Sequence, residues 1–387
     1  MRTTSLVALL ICVLGCPGYS QNQPVTRELK VITLSGSGYE RGLQHGRELK
    51  SEVAKIVESW KANARQATGK DPGKILEGFF EYARFTDAIR KWTPDLYDEV
   101  KGIADGSGQS FEDIFVLNLL DEFWVYLDNP ENHHCSGVGV PSSKGQPAYV
   151  AQNMDLETCT DGFQVLIRIP RDGDKPEQLV LTHAGLIGLN GMNQSGVGVC
   201  VNTLMQLKAS SAGLPVAFVV RSLIGRTDKA EILRFIKEVE HASGQNYLIG
   251  INDDVYDFEA SANKVAQFKP KGTSGTVFRT NHALVNDDLK PWYPDLVLYS
   301  ENSIARMKAV QSRVTADHFQ GGPSLGDVLR SQDDLVHPVC RPNEKENGAF
   351  TFASVIMTLG DQPFLQLTVG PPNESEYRVF DFTGALD

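Results

Sequence analysis

The chain has 387 residues, 41% of them hydrophobic and 22% charged. That balance excludes a disordered, collagenous or coiled-coil protein, and the length suits one large domain, or two or three small ones, with ample core. The 37 basic and 48 acidic residues leave a formal charge of −11, and without a basic run there is no electrostatic footprint for nucleic acid or an anionic membrane. The expected partner is a small molecule.

Residues 1–20 read as a signal peptide. Arg2 supplies the positive end, Leu6 to Leu14 is almost wholly apolar, and Gly18-Tyr19-Ser20 fits a signal-peptidase site before Gln21. A run this short cannot span a bilayer, and no later run is long enough to do so. Val13-Leu14-Gly15-Cys16 also resembles a bacterial lipobox, which would place a lipid anchor on Cys16. On either reading the chain is exported, as a periplasmic, secreted or surface lipoprotein. Export leaves Cys135, Cys159, Cys200 and Cys340, too few for a disulfide scaffold though enough for one bridge. Cys200 lies in the apolar strand pattern Val197 to Val201 and reads as core.

The segment after the signal peptide is mostly helical. A strand over 27–34 and a glycine turn at Gly36 to Gly38 lead into a helix to about Gln66, with Leu49, Val53, Ile56, Val57 and Trp60 on one face. A second helical stretch covers about 74–92, and a third follows Pro94. Ser110 and Asp113 cap an apolar helix from Phe111 to about Tyr126. From residue 135 strands take over, at 135–140, 147–153, 163–169, 178–183, 186–191 and 197–203. Helices at about 215–224 and 228–239 precede strands at 246–251, 255–260, 264–268 and 276–280. Helices at about 302–314 and 324–331 then lead to strands at 350–358, 363–369 and 377–382. Strand runs separated by paired helices predict stacked sheets between helical layers.

Two patterns are decoys. Gly36-Ser37-Gly38 with Gly42 imitates a dinucleotide fingerprint, but the spacing is one residue too long and no second strand ending in an acid follows. Ser261-Ala262-Asn263-Lys264 matches Ser-x-x-Lys by letters alone, between two strands.

The chemistry concentrates at His133-His134-Cys135-Ser136-Gly137-Val138-Gly139-Val140, where helices give way to strands. Cys135 reads as a nucleophile, as a small hydrophobe opening a strand, or as a zinc ligand with the two histidines. No Cys-x-x-Cys or His-x-x-x-His pair completes a zinc set. Gln152-Asn153-Met154-Asp155 ends the return strand of the hairpin, so Asp155 is expected near the start of the first strand, where it could hold an ammonium group or orient a base.

Cys135-Ser136 followed by Gln152-Asn153-Met154-Asp155 resembles the acyl-CoA:6-aminopenicillanic-acid acyltransferase family of N-terminal-nucleophile hydrolases, related to choloylglycine (bile-salt) hydrolases. Ordered segments along nearly the whole mature chain carry the same likeness: Gly38 to Gly46, Gly102 to Gly106, Asp113 to Asn118, Gly185 to Gly198, Val201-Asn202-Thr203, Arg279-Thr280-Asn281-His282, Thr351 to Met357 and Gly370-Pro371-Pro372. The resemblance implies an α+β, four-layer αββα fold, a helical segment over 21–134 and a catalytic segment over 135–387. It also implies self-cleavage between His134 and Cys135, freeing an α-amine on the nucleophile. Asp155 would hold that amine, and Asn202 and Asn281 would donate to the oxyanion. Gln152, Asn153, His282 and Ser354 are implied as substrate-contacting or structural residues. No cofactor and no metal is required. Two positions depart from the pattern: His134 stands where a small residue is usual, and Gln152 where the bile-salt branch has arginine. The implied activity is hydrolysis or acyl transfer on a small linear amide. The rival readings are a lipid amidase or phospholipase-B-like relative, and an exported binding protein that does not cut itself.

Overall fold

The computed structural model describes residues 27–128, 134–143, 145–271, 274–291, 296–343 and 348–382. The signal-peptide reading, with Cys16, and His133 lie outside these residues. After strand β1 (Lys30–Thr33) come seven helices: α1 (Gly38–Glu48), α2 (Lys50–Thr68), α3 (Pro72–Tyr82), α4 (Thr86–Trp92), α5 (Pro94–Ser107), α6 (Phe111–Leu117) and α7 (Leu120–Tyr126). Three of the expected long helices are therefore broken pairs, because tertiary hydrogen bonds and burial outcompete the helical ladder at each break. The Arg84 N–H donates to Ser211 O at 2.8 Å, which turns the chain out between α3 and α4. The Asn118 amide donates to Ile114 O and Gly185 O and accepts from the Ile187 N–H, which ends α6. At Leu49 the backbone kinks with a side chain that is fully buried.

The remainder runs β2 (Ser136–Val140), β3 (Tyr149–Glu157), β4 (Gln164–Ile169), β5 (Gln178–His183), β6 (Asn190–Asn193), β7 (Val197–Thr203), α8 (Val216–Ile224), α9 (Lys229–Glu238), β8 (Gln245–Ile251), β9 (Asp254–Ala260), β10 (Val265–Phe268) and β11 (Val277–Arg279). It closes with α10 (Leu296–Val314), α11 (Gly322–Leu329), β12 (Ala349–Thr358), β13 (Phe364–Val369) and β14 (Arg378–Asp381). The eight-stranded sheet has the order β1-β4-β5-β6-β7-β8-β9-β10, the six-stranded sheet β11-β2-β3-β12-β13-β14. The helical segment thus contributes β1 as an edge strand, paired parallel to β4.

Alternation along the strands builds the layers. Leu166, Leu181, Cys200 and Leu248 of the larger sheet meet Val150, Phe352 and Val355 of the smaller one in the middle. The next residues along, Val165, Ile167, Val199 and Ile249, face outward onto Val53, Trp60, Val100 and Phe218 of the helices. On the far side Val138, Ala151 and Ile356 pack on Val310, Leu325 and Val328 of α10 and α11. This is the expected four-layer αββα arrangement. Cys200 is core, as its strand pattern implied, and Cys135, Cys159, Cys200 and Cys340 are all free thiols.

The glycines of the dinucleotide decoy have a packing role instead. On α1, Gly38, Gly42 and Gly46 let the helix lie directly on α5, where Gly102 and Gly106 answer them. A Cβ on Gly42 would stand 1.9 Å from Glu99 O. The same crossing buries an ion network: Glu99 accepts from Arg41 Nε at 2.9 Å and from Arg221 Nη1 of α8 at 2.9 Å. Both arginines hold its carboxyl below the usual range against the opposing effect of burial. Gly42→Ala should therefore separate α1 from α5 and lower stability by about 1–3 kcal/mol, read as a drop in the thermal midpoint; an unchanged midpoint would show that the crossing tolerates a methyl group.

Candidate active site

The site grows from one strand pairing. β2 and β3 run antiparallel with Ser136 opposite Asn153, so Cys135 and Asp155 share one end of the pair. A register shift where β12 pairs with β3, between Thr351 and Ala353, brings Thr351 onto the carboxylate, and Thr351 Oγ1 donates to Asp155 Oδ1 at 2.8 Å. Asp155 Oδ2 has no hydrogen bond; Arg341 Nε lies 3.6 Å from it. Burial pushes the Asp155 carboxyl up to about 7, although Arg341 and Arg306 pull the other way. The Cys135 Sγ is buried, 3.6 Å from Met154 Sδ, and burial together with the Asp155 charge pushes its thiol up to about 12.

Arg306, on the buried stripe of α10 with Ser303, Val310 and Val314, is the residue that ties the site together. Its Nη1 donates to Cys135 O at 2.6 Å and Ser136 Oγ at 2.9 Å, its Nη2 to Asn281 Oδ1 at 3.0 Å, and its Nε to Asn302 Oδ1 at 2.7 Å. It is fully buried and stays cationic, its pKa lowered only to about 10. The sequence reading missed it. The available signal was a lone arginine on the apolar face of an amphipathic helix, a placement that requires partners.

The expected residues divide into groups. Asn281 belongs to the cluster: besides accepting from Arg306, its Nδ2 donates to Thr203 O at 3.1 Å. Asn202 lies between the sheets against Gly137, and neither of its side-chain polar atoms has a partner. Gln152 also points between the sheets, donating to Val201 O and accepting from Asn190. Asn153 points the other way and ties Leu329 O and Val339 O to the sheet. Ser354 Oγ bonds Tyr377 at 2.7 Å, and His282 Nδ1 lies 2.8 Å from Ser303 Oγ, its pKa lowered to about 4 mainly by burial. Those last four side chains all hydrogen-bond within the protein. His134 is half-buried on the N-terminal side of the thiol.

A cavity of about 60 Å³ opens beside Cys135, walled by Leu120 and Trp124 of α7, Val216 and Val220 of α8, and Met154 and Val201 of the sheets. Among the described residues no group of three His, Cys, Asp or Glu is placed to hold a metal ion, and no helix is long and apolar enough to cross a membrane.

The family model described as acyl-coenzyme A:6-aminopenicillanic acid acyl-transferase matches residues 142–374, well over half of the chain. The chain belongs to this family. The matched span begins beyond Cys135 and does not include it. The acyltransferase of Emericella nidulans, described as the acyl-coenzyme A:6-aminopenicillanic-acid-acyltransferase 40 kDa form, is 27% identical over 366 residues, covering 91% of this chain and 96% of the relative. Protein dcd1A of Dictyostelium discoideum is 26% identical over 238 residues, covering 52% of this chain and 51% of its own length. Among solved structures, a mutant of the conjugated bile acid hydrolase of Clostridium perfringens is similar at 13% identity and a TM-score of 0.44, covering 65% of this chain and 93% of that one. Penicillin V acylase from Agrobacterium tumefaciens gives 14% identity and a TM-score of 0.43, covering 65% of this chain and 86% of that one.

Burial of the acids gives this family member a pH signature. Asp155, Glu157 and Glu122 are each raised to about 7, from ordinary values of 3.8, 4.5 and 4.5. Between about pH 4 and 7 the folded chain holds protons on these three groups that the unfolded chain has released, so their contribution to stability falls as pH rises. His45, His183, His241 and His282, each lowered to about 4 by burial, contribute the opposite slope. Adding Asp155→Asn to the uncut Cys135→Ala protein should shift the pH dependence of its urea midpoint between about pH 4 and 7 in the direction of rising stability with pH; an unaltered dependence in the double variant would remove Asp155 from the account.

Proposed function

We propose that the chain is an exported, self-processing cysteine enzyme that cleaves, or transfers, the acyl group of a small linear amide through a thioester on Cys135. The observation that carries the reading is the shared end of β2 and β3, where a buried thiol, a carboxylate whose Oδ2 lacks a hydrogen bond and the Arg306–Asn281 pair meet beside an apolar cavity. Membership of an acyltransferase family supports the reaction class, and residues 1–20 support export.

In the uncut chain the thiol is protonated and the Cys135 nitrogen is an amide, so no base is at hand. Processing begins when Cys135 Sγ adds to the His134 carbonyl and the peptide C–N bond breaks. The nitrogen leaves as an amine on Cys135, and water hydrolyses the thioester to the His134 carboxylate and a free thiol. An α-amine has an ordinary pKa of about 7.7–8.0, so it serves as a base near neutrality. Asp155 Oδ2, which lacks a hydrogen bond, would accept from the new amine.

In turnover the amine takes the thiol proton and Sγ attacks the substrate carbonyl. The ammonium returns that proton to the leaving amine as the C–N bond breaks, and a thioester remains. Water then yields the acid; a second amine yields a new amide. Asn281 and Asn202 supply amide N–H groups for the oxyanion, each worth roughly 2.7–4 kcal/mol in a site closed to water. Arg306 positions the carbonyl side of Cys135 and the Asn281 side chain together.

Intact mass and N-terminal sequencing test the reading. The wild-type chain should yield two fragments, the larger beginning at Cys135, and Cys135→Ala should remain whole; an uncut wild-type chain overturns the α-amine mechanism. Arg306→Lys keeps the charge but lacks the fork that reaches Cys135 O, Ser136 Oγ and Asn281 at once. It should slow appearance of the fragments by about 10²-fold, the effect expected of a misplaced reacting group; cutting at the wild-type rate would reduce Arg306 to a packing role.

A further inference from the structure

The cavity beside Cys135 is mostly apolar, and three of its polar lining residues offer hydrogen-bond acceptors. Asp121, Glu157 and His183 all border it. Glu157 is 8% exposed, and the neighbouring charge acting on it is that of Asp121, of the same sign. The Trp124 indole N–H lies beside Glu157 without reaching hydrogen-bond geometry. Asp121 accepts from Thr203 Oγ1 at 2.8 Å and from Gln245 Nε2 at 2.9 Å, both on Oδ2, so Oδ1 remains available.

His183 is fully buried on the same wall. Its Nδ1 lies 2.9 Å from Ala184 O, which places the ring proton there and leaves Nε2 as a lone-pair acceptor with no partner. Burial lowers the ring's pKa to about 4, so the acceptor stays bare at neutral pH.

Burial and the Asp121 charge already push the Glu157 carboxyl up to about 7. Its ionised form, beside Asp121 and the bare His183 acceptor, is favoured when a ligand supplies donors and positive charge. An ammonium group supplies both, with three N–H donors on a compact cation. A neutral alkyl or aryl group would leave the His183 Nε2 acceptor unpaired. Asp155 is not free for this task, because the proposed function assigns it to the α-amine of Cys135.

We propose that the substrate of Cys135 carries a primary ammonium group that seats in this cavity against Asp121, Glu157 and His183. The inference rests on the functional reading above and narrows it to amides with a cationic amino group. Glu157 and Asp121 then act in specificity, selecting what reaches the thiol.

Binding tests this independently of turnover. Titration calorimetry of n-butylammonium and of 1-butanol into the wild-type protein should show the cation binding at least about tenfold more tightly, as charge-assisted hydrogen bonds require. Glu157→Gln and Asp121→Asn should each remove most of that preference. In the processed enzyme, kcat/KM for 5-aminopentanoyl 4-nitroanilide over hexanoyl 4-nitroanilide should favour the ammonium substrate by a similar factor, and Glu157→Gln should lose that ratio while still cleaving the neutral anilide. Equal binding of the two probes, no binding of either, or a preference that survives both substitutions would overturn the inference. Selective binding by a chain that never cuts itself and cleaves neither anilide would uphold the ammonium site and sink the proposed function instead. A processed enzyme that cleaves both anilides equally would do the reverse.

Discussion

One antiparallel register, Ser136 against Asn153, is what everything chemical in this molecule depends on. Side chains on a strand alternate, so a slip of one residue would turn Val138 and Ala151 from the α10 and α11 face into the layer between the sheets. The same slip would move the Asp155 carboxylate off the end where the thiol lies. Glycine at 137 and 139 keeps β2 thin enough for this packing. A Cβ at Gly139 would stand 2.5 Å from Val255 Cγ1, and one at Gly137 would touch the Asn202 amide at 3.4 Å. The register is therefore held from both faces of the strand pair.

Buried charge then fixes what the strands alone leave loose. Arg306 joins α10 to the first residues of β2 and to Asn281. Arg279 is held by Asp257 and Glu259, and Glu259 in turn accepts the main-chain N–H groups of Leu284, Val285 and Asn286. That gathers the chain after β11, on which Asn281 sits, against β9. Glu99 does the same for the helical layer, locking α1 and α8 to α5. Buried ion pairs are weak evidence of net stability, since desolvation offsets much of their attraction. Here each one sets a position, and the position matters for the site.

The sequence made most strands legible to within a few residues, because nearly all of them alternate between two apolar layers, though the strand expected at 186–191 is instead β6 at Asn190–Asn193. β7 is an example: Val197, Val199 and Val201 face the helices, while Cys200 and Asn202 face the other sheet. Helix breaks were not legible, because apolar periodicity continues through Leu49, Ala83 and Asn118 while burial at Leu49 and distant acceptors for the Arg84 N–H and the Asn118 amide end the helices there. Cys135 and Asp155 could be paired by counting along a hairpin. Arg306 could not, since its contacts lie 170 and 171 residues away in sequence. His183 and Glu157 look like ordinary strand residues until the cavity they border is seen.

The helical layer is more than a cover for the sheet. Leu120, Asp121 and Trp124 wall the cavity, so residues before 135 shape the space in front of a thiol that begins the rest of the chain. A cut at His134 would sever the covalent link between wall and nucleophile and leave the packing intact. Val53, Trp60, Val100 and Phe123 are buried against Val165, Val199 and Ile249, and β1 remains hydrogen-bonded to β4. Burial of that extent does not depend on a peptide bond at residue 134. Such a cut would change the charge and reach of one terminus while the cavity keeps its shape, so under the proposed function a buried, protonated thiol would gain its base without the molecule rebuilding its site.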